Sequence, residues 1–404
     1  DLVRSRGLGD VYKRQLSAIL TSMFNAPDWL TYLKVRGSYT EVGNSYGRFM
    51  TTVTYPYDEQ TQNWTSTSSY PNTKLKPERT KSWEVGLDAR ILNDISLNLT
   101  YYRSNTYNQT FYADLSLSSG YSNIPIQSGN IMNEGIEMAL GYNKQWKDFS
   151  FNTNYTLTWN KNRVKRLADG VYNYATGQSI QMPELSPLTY GHTDARLILR
   201  VGGSMGDVYG QRLLKRDLNG YILNEEGVGL TMENKETYLG SILPKMNMGW
   251  SLGFGYKGVN LGMTFTGRFG GIVISETQSV LDAAGVSKVS ADVRDAGGVQ
   301  INQGKVSAQT YYQAIQGTAA YYTYSATNVR LGELSLSYTL PKKWFDNKVG
   351  MTVGLVGKNL WMIYCKAPFD PELTTSAASN FYQGFDAYML PSTRNFGFNI
   401  KFQF

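Results

Sequence analysis

Residues that could carry out chemistry are few in this chain. The single histidine, His192, is followed by Thr193 and Asp194, but no GxSxG motif or metal-ligand spacing accompanies it. Acid–base or nucleophilic catalysis needs several cooperating groups within reach of one another. We therefore expect no enzymatic activity, no catalytic residues and no cofactor, and we place His192 at the end of a loop.

Acidic residues between positions 217 and 226 indicate a second kind of chemistry, because carboxylates around a glycine turn suit a hard cation such as Ca²⁺. They are Asp217, Glu225 and Glu226, together with Asn219. Their spacing differs from that of an EF-hand, which places acidic or amide side chains at positions 1, 3 and 5 and glycine at position 6. The sequence favours an Asx-type turn at Asn219 and Gly220, and no metal site.

Aromatic residues in long connecting segments form the third set of candidates. Aromatic rings stack on sugar faces, and binding residues tend to lie on loops carried by a rigid scaffold. The alternative is that these rings pack the loops on each other or form an interfacial girdle. The candidates for contact with a substrate or a covering partner are Trp64, Tyr70, Tyr172, Tyr174, Tyr311, Tyr312, Tyr321, Tyr322, Tyr324, Phe381 and Tyr382.

Composition limits the class of protein that carries these loops. Of 404 residues, 18% are charged, and the chain contains 40 Gly and 30 Tyr. The aromatic content excludes a disordered chain, and no apolar run reaches the about 18 residues of a transmembrane helix. The net charge of +7 is spread along the chain, which argues against nucleic acid binding. The single Cys365 allows no internal disulfide.

Hydrophobic residues recur with a period of two from about residue 33 onward, which is the pattern of strands with one apolar and one polar face. The pattern predicts an all-β protein of about twelve strands. It is clearest at the end of the chain, where one face of the last strand carries Phe396, Phe398, Ile400, Phe402 and Phe404. Other segments with this period are 83–89, 95–101, 136–142, 149–159, 250–256, 261–265 and 349–355.

The links between these strands alternate in length. Short links lie near 92–95, 143–148, 202–206, 257–259 and 341–348, and long connections cover about 44–81, 118–133, 164–193, 217–247, 270–326 and 364–392. This alternation is typical of a transmembrane antiparallel up-and-down β-barrel with short periplasmic turns and long extracellular loops. A strand of about 12 residues tilted by about 45° spans about 28 Å, enough for an apolar band of about 25 Å. Trp344, beside Lys342 and Lys343, suits an interface anchor.

Several segments resemble the barrel of SusC/RagA-type TonB-dependent outer-membrane transporters, and they occur in that family's order. Together they cover nearly all of residues 16–404. The segments are LKVRGSYTEVGNS at 33–45, LKPERTKSWEVGLDARILNDISLNLTYYRS at 75–104, GNIMNEGIEMALGYN at 129–143, GDVYGQRLLKRDLNGYI at 206–222, ILPKMNMGWSLGFGYKGVNLGMTFTGRFGG at 242–271, NVRLGELSLSYTLPKKW at 328–344, GKNLW at 357–361 and PSTRNFGFNIKFQF at 391–404.

The resemblance implies import of a large nutrient, an oligosaccharide or a peptide, across the outer membrane of a Gram-negative bacterium. Uptake in this family takes place beneath a SusD-type lipoprotein lid and is driven by the TonB complex. The aromatic loop residues named above are then candidates for substrate or lid contact. The alternating face of the last strand, which ends at Phe404, resembles the signal read by the outer-membrane assembly machinery. Membrane lipid is a further expected partner, and nucleic acid is not.

The chain also departs from the family. Members carry an N-terminal domain, a TonB box and a plug before a barrel of about 22 strands. We therefore expect residues 16–404 to be the C-terminal portion of such a barrel, with the plug and N-terminal domain absent. Residues 1–15 share no periodicity with the rest, so we leave them unassigned and suspect that they are not native. Two alternatives stay open: a passive porin or surface adhesion barrel, and a soluble all-β binding module.

Overall fold

The structure is a computed structural model that describes residues 12–65, 67–115, 117–167, 171–173, 177–180, 184–226, 229–346, 348–376 and 380–404. Within these residues, eleven strands form one large sheet whose spatial order equals their order in the chain. This confirms the predicted all-β, up-and-down architecture, and the barrel is not closed in the described part. The strands are β1 (Tyr12–Ile19), β2 (Leu30–Asn44), β3 (Glu78–Ile91), β4 (Ile95–Asp114), β5 (Asn123–Trp146), β6 (Phe149–Arg166), β7 (Met246–Tyr256), β8 (Val259–Phe269), β9 (Asn328–Thr339), β10 (Gly350–Cys365) and β11 (Asn395–Gln403).

Shorter elements lie in the connections between these strands. The α-helices are α1 (Leu20–Met23), α2 (Glu276–Ala283), α3 (Lys288–Asp295) and α4 (Ala308–Ile315). None of the helices in the described residues is long and apolar enough to cross a membrane. Short 3₁₀ turns cover Leu117–Ser119, Ala319–Tyr321, Lys342–Phe345 and Asn380–Gly384. Small hairpins pair Tyr57–Asp58 with Asn63–Trp64, Val171–Asn173 with Gln178–Ile180, Asn224–Glu225 with Gly229–Leu230, and Val299–Ile301 with Gly304–Val306, and a three-stranded sheet joins Thr323–Ser325, Ile272–Ser275 and Phe385–Asp386.

The chain divides into two compact units, and we describe each by itself. The first contains the described residues of 1–138, 159–187 and 199–205, and the second those of 139–158, 188–198 and 206–404. In the first unit, Trp83 lies opposite Tyr39 and Arg103, and Leu87 lies opposite Val35 and Leu99. These pairs make one face of the sheet largely apolar, as the period of two predicts.

The other face of the first unit is polar. Arg36 donates from Nη2 to Thr100 Oγ1 at 2.5 Å, and its Nε lies 3.8 Å from Asp88. Lys34 is 3.7 Å from the same carboxylate. A polar face with paired charges, back to back with an apolar face, is the arrangement of a barrel wall between lipid and a wet interior.

The second unit repeats this division. Leu261, Leu336 and Leu355 lie side by side on three neighbouring strands, and Leu355 lies opposite Phe398. Leu336, Leu355 and Phe398 are all exposed in the isolated chain. Such a broad exposed apolar face is rare on a soluble protein and requires an apolar surrounding.

Tight turns join strands at the predicted short links. Leu92 and Asn93 adopt φ values of 49° and 60°, and Lys257 and Gly258 adopt 47° and 88°. Two consecutive positive φ angles give a type I′ turn, whose twist matches that of the flanking strands. These turns hold neighbouring strands in register and thereby keep the apolar residues on one face.

One predicted pair of barrel strands is wrong. The segments on either side of the 202–206 link belong to a separate four-stranded sheet, ordered Glu184–Thr189, Arg196–Arg200, Asp207–Leu214 and Met232–Ser241. Arg196–Arg200 is too short to span the membrane, and Leu197, Ile198 and Leu199 are all buried. A strand buried on both faces has no lipid-facing side.

The start of the chain takes part in the large sheet. Residues 12–15, which the sequence analysis left unassigned, lie in β1 and pair with β2, with Tyr12 opposite Glu41 and Gln15 opposite Ser38. Residues 1–11 lie outside the described part of the chain. The suggestion that residues 1–15 are not native stays a prediction.

Two neighbouring substitutions in β7 test the assignment of the faces. We expect Leu252→Arg to destabilise the full-length barrel by about 2–4 kcal/mol, because it places a cation on the lipid face near the middle of the strand. Ser251 lies on the polar face, 3.4 Å from Thr264, so Ser251→Arg is expected to cost less than about 1 kcal/mol. Urea unfolding in lipid vesicles measures both. Equal losses would contradict the assignment.

Candidate functional site

The long connections of the second unit fold into a structure with its own core, which we call the loop assembly: the described residues of 188–198, 206–245, 270–327 and 366–392. A buried cluster joins the 206–245 and 270–327 segments without any residue of the barrel strands. Hydrophobic burial, rather than pairing with the large sheet, therefore stabilises this part of the chain. The cluster consists of Leu214, Ile222, Ile301, Ala308, Tyr312, Ile315 and Tyr322.

Three serines start the helices of the loop assembly. Ser275 accepts a hydrogen bond from the backbone N–H of Gln278, Ser287 from that of Ser290, and Ser307 from that of Thr310. An N-cap of this kind stabilises a helix by about 1 kcal/mol. These helices lie within 270–326, which the alternation of link lengths predicts as one long connection, although the spacing of Ser275 and Gln278 matches a capping box.

The predicted contact residues Tyr311 and Tyr312 lie next to each other on α4. Their rings meet edge to face with centroids 5.1 Å apart. Tyr312 is buried in the core cluster, and Tyr311 packs against it. Burial, together with the neighbouring Tyr321, raises the pKa of the Tyr311 hydroxyl to about 12. Both rings contribute to the packing of the loops, and their predicted contact with substrate or lid stays a prediction.

Tyr321, Tyr322 and Tyr324 also belong to this packing. The hydroxyl of Tyr321 accepts a hydrogen bond from the backbone N–H of Leu214 at 3.1 Å. Tyr322 is buried, and its hydroxyl has no hydrogen-bond partner among the described residues. The ring of Tyr324 meets Phe369 edge to face at 5.7 Å. The alternative that such rings pack loops on each other thus describes much of what they do here.

Phe381 and Tyr382 lie around a tyrosine that the sequence analysis did not single out. Tyr190 is fully buried and donates from its hydroxyl to the Phe381 carbonyl at 2.7 Å. The centroid of its ring lies 6.1 Å from that of Tyr382 and 5.2 Å from that of Phe385. Burial raises the pKa of Tyr190, which keeps the hydroxyl a donor at physiological pH. Tyr190 therefore ties the 366–392 segment to the segment that contains His192.

The remaining aromatic candidates lie in the first unit. Trp64 is 71% exposed, and its ring meets that of Tyr57 across a small hairpin in a tilted arrangement, with centroids 5.2 Å apart. Tyr70 is half-buried and packs edge to face on Tyr121 at 5.1 Å. The backbone of Tyr172 lies in a short hairpin strand, and Tyr174 lies outside the described residues. Among the described candidates, Trp64 thus offers an open ring surface.

Asp194, and not the neighbouring His192, is the structural centre of its turn. Its carboxylate accepts hydrogen bonds from the backbone N–H groups of Ala319 at 2.6 Å and Gln211 at 3.1 Å. Arg212 Nε lies 3.7 Å away. His192 is exposed at the end of a loop, as predicted. No sequence motif signals the role of Asp194, because its partners are backbone groups from distant segments.

The predicted Asx-type turn is confirmed, with Asp217 as its capping residue. Oδ1 of Asp217 accepts from the N–H groups of Asn219 and Tyr221, both at 2.9 Å. Gly220 follows with a φ of 84°. In the described residues, no group of three or more His, Cys, Asp or Glu side chains could hold a metal ion.

A buried ion pair joins the 366–392 segment to the large sheet. Arg330, on β9, contacts both carboxylate oxygens of Asp370, at 2.9 and 2.7 Å, and the side chains of the pair are 11% and 8% exposed. Burial alone would raise the pKa of Asp370, but the hydrogen bonds from Arg330, the Glu372 N–H and Ser392, together with the charge of Arg330, outweigh it and hold the pKa below its usual value. The bidentate geometry fixes the direction in which this segment leaves the barrel strands.

The apolar residues of the last strand lie exposed along β11. Phe396, Phe398 and Phe402 pair with positions on β10, and β11 is one edge of the large sheet. Ile400 and Phe404 follow the same alternation. Their predicted role as an assembly signal stays a prediction.

The family described as "TonB dependent receptor-like, beta-barrel" matches residues 12–360. This range includes β1–β9 and the core of the loop assembly. The chain belongs to the TonB-dependent receptor β-barrel family. It therefore lies in the outer membrane of a Gram-negative bacterium, as the resemblance implied.

Curated relatives agree with this assignment. TonB-dependent receptor P3 of Formosa agariphila is 25% identical over 92% of this chain and 40% of its own length. TonB-dependent receptor SusC of Bacteroides thetaiotaomicron is 28% identical over 39% of this chain and 15% of its own length. The chain thus spans about 40% of the length of the TonB-dependent receptor P3. The resemblance to the SusC/RagA type is confirmed.

Solved structures share the fold. The RagAB peptide importer in its open-open state matches 97% of this chain and 42% of its own chain, with a TM-score of 0.69 and 19% identity. Its closed-closed state matches equally well, with a TM-score of 0.69 and 18% identity. At this identity, the match shows a shared fold.

Two buried tyrosines provide a matched pair of variants. Tyr190→Phe removes a hydrogen bond to a distant segment, so we expect it to destabilise the loop assembly by about 1 kcal/mol. Tyr322→Phe removes a hydroxyl that has no partner among the described residues, so stability should be unchanged or slightly higher. Limited proteolysis of the full-length protein over a temperature series measures both. A larger loss for Tyr322→Phe would contradict this account.

The Arg330–Asp370 pair supplies a second comparison. Arg330→Met leaves a buried carboxylate unpaired and should destabilise the 366–392 segment by about 3–5 kcal/mol. Lys358→Met breaks an exposed ion pair in which Lys358 Nζ lies 3.7 Å from a carboxylate oxygen of Glu333. This variant should lower the free energy of unfolding by less than about 1 kcal/mol. Because the pKa of Asp370 is lowered, the contribution of the pair is present at neutral pH and lost as the pH falls below about 4. Protease sensitivity of residues 366–392, measured for both variants and as a function of pH, tests the difference between the variants and the loss of the pair at low pH. Equal sensitivity of the two variants would contradict the buried pair's larger contribution.

Proposed function

We propose that this chain is the C-terminal part of a transporter barrel that imports a large nutrient, an oligosaccharide or a peptide, across the outer membrane. The observation that supports the proposal most directly is the combination of a lipid-facing wall of strands with a loop assembly that has its own core. A barrel that only anchors a protein needs no separately stabilised loops. Loops carried by a rigid scaffold are the common place for ligand recognition.

Energy for uptake would come from the TonB complex, which would act through a part of the protein outside this chain. A SusD-type lipoprotein would cover the extracellular loops as a lid. The fold of this chain is shared with the RagAB peptide importer, and the sequence is related to SusC. These two similarities support both a lid lipoprotein and a cargo larger than a simple ion. No group in the loop assembly combines the acid, base and nucleophile that an enzyme would need, and we propose transport without catalysis.

The test is uptake by cells that produce the full-length protein. Cells with intact TonB should take up a fluorescent oligosaccharide or peptide from a mixed library, and deletion of tonB should abolish uptake. Uptake that is independent of TonB would overturn the proposal and support a passive porin. Absence of uptake, with binding to other cells, would support an adhesion barrel.

Trp64 provides a variant for the substrate or lid contact. We expect Trp64→Ala to lower the apparent affinity for cargo or lid by about ten-fold, since stacking on an exposed aromatic ring contributes about 1–2 kcal/mol. Trp344 is also exposed but lies in the short turn after β9. Trp344→Ala should leave both affinities unchanged. Equal effects of the two variants would exclude a specific role for Trp64.

A further inference from the structure

Basic side chains interrupt the apolar face of the large sheet near the end of the strands that is far from the tight turn at Leu92 and Asn93, in the first unit. Arg79 and Lys81 on β3 and Arg103 on β4 all lie on the face that carries Trp83, Val85 and Leu87. The register shows this directly, because Trp83 is opposite Arg103, and Lys81 is opposite Asn105 on the same face. We call Arg79, Lys81 and Arg103 the basic row.

The height of the basic row matches the edge of a membrane. Ile91, at the other end of β3, lies opposite Ile95 next to the tight turn. From Ile91 to Lys81 the strand rises through ten residues, about 33 Å along its axis and about 25 Å along the membrane normal at a tilt of about 40°. The apolar band of an outer-membrane barrel is about 25 Å tall. Trp83 and Arg103, which lies opposite it, occupy the interfacial position at the edge of this band, and Lys81 and Arg79 lie just beyond.

One acidic residue, Glu41, lies beside the basic row on β2. On this face, the positions beside it on β2 and β4 are Tyr39, Glu41, Gly43, Asn105 and Tyr107. The carboxylate of Glu41 lies 3.3 Å from Arg79 and 3.8 Å from Lys81. This carboxylate lies near two of the three cations, and no ion pair with Arg103 is among those of the described residues. The side chains of Arg79 and Lys81 remain 63% and 46% exposed.

The spacing of the three cations suits a phosphate group. Residues two apart on a strand, and diagonal neighbours on paired strands, lie about 7–8 Å from each other. Lys81 lies at this distance from both Arg79 and Arg103, so each of these two pairs can converge on one phosphate group, while Arg79 and Arg103 are farther from each other. The Arg guanidinium is well shaped for phosphate oxygens. The same order recurs on β6, where Lys161 and Arg163 follow Trp159 at alternate positions.

We propose that the basic row binds the phosphate groups of a glycolipid headgroup in the outer leaflet of the membrane. The row is continuous with exposed Val85 and Trp83, which require lipid beside them. A molecule that covers those residues brings its headgroup to the height of the basic row. Phosphate contacts there fix the vertical position of this part of the barrel, as juxtamembrane basic clusters do with anionic lipids.

The experiment measures lipid binding to the purified full-length protein in a neutral detergent by native mass spectrometry. The probes are diphosphorylated lipid A and the same lipid after enzymatic dephosphorylation. We expect the phosphorylated form to bind at least about ten-fold more tightly. Removal of one cation should weaken binding by about five-fold, and the triple variant R79Q/K81Q/R103Q by about a hundred-fold at low salt. Equal binding of the two lipids would overturn the proposal.

Two further variants separate the basic row from general charge and from misfolding. The control K257Q/K342Q/K343Q removes the same number of charges at short turns between strands, and it should bind lipid A as the wild type does. Glu41→Gln frees Arg79 and Lys81 from their carboxylate and should strengthen binding by about five-fold. A loss of binding in the control equal to that in the triple variant, or weaker binding in Glu41→Gln, would overturn the proposal. Displacement of lipid A by inorganic phosphate at equal concentration would show a site for a free anion instead, which would also overturn it.

Discussion

The fold of this protein depends on one requirement: every backbone polar group inside the sheet must be hydrogen-bonded. In the hydrocarbon core no water is present to replace a missing hydrogen bond, so membrane-spanning strands must form a continuous, closed ladder. The large sheet meets this demand between β1 and β11, and these two strands are its edges. The chain spans about 40% of the length of a curated relative. Further strands that pair with both edges would complete the wall, and the assignment of this chain as part of a larger barrel stays a prediction.

The division of faces follows from the same ladder. Once the strands are paired in register, every second residue points to lipid, and the apolar series around Leu87 and Leu336 continues across neighbouring strands. The loops face a different solvent. Outside the membrane their backbone groups can bond to water, so their order depends on burial, helix caps and ion pairs such as Arg330–Asp370. The chain therefore combines two kinds of stability, one of the barrel wall and one of the loop assembly.

The sequence predicted the wall better than the loops, for a physical reason. Lipid outside and water inside impose strict alternation, which is readable in single strands such as Phe396–Phe404. The strand at Leu197–Leu199 carries no such alternation because both of its faces are buried, and its hairpin was mistaken for a barrel hairpin. The caps at Ser275, Ser287 and Ser307 were readable and were overlooked. The burial of Tyr312 and Tyr322 was not readable, since it depends on contacts between residues far apart in the chain.

The most direct test of the account is a cysteine scan of β3 in the full-length protein in outer-membrane vesicles. The single Cys365 is first replaced by Ser, and cysteines are then placed one at a time at positions 82–89. A water-soluble maleimide and a lipid-soluble one report which solvent each position meets. The account predicts a period of two, with positions 83, 85, 87 and 89 labelled by the lipid-soluble reagent and 82, 84, 86 and 88 by the water-soluble one. Labelling of both sets by the water-soluble reagent would contradict a lipid-facing wall.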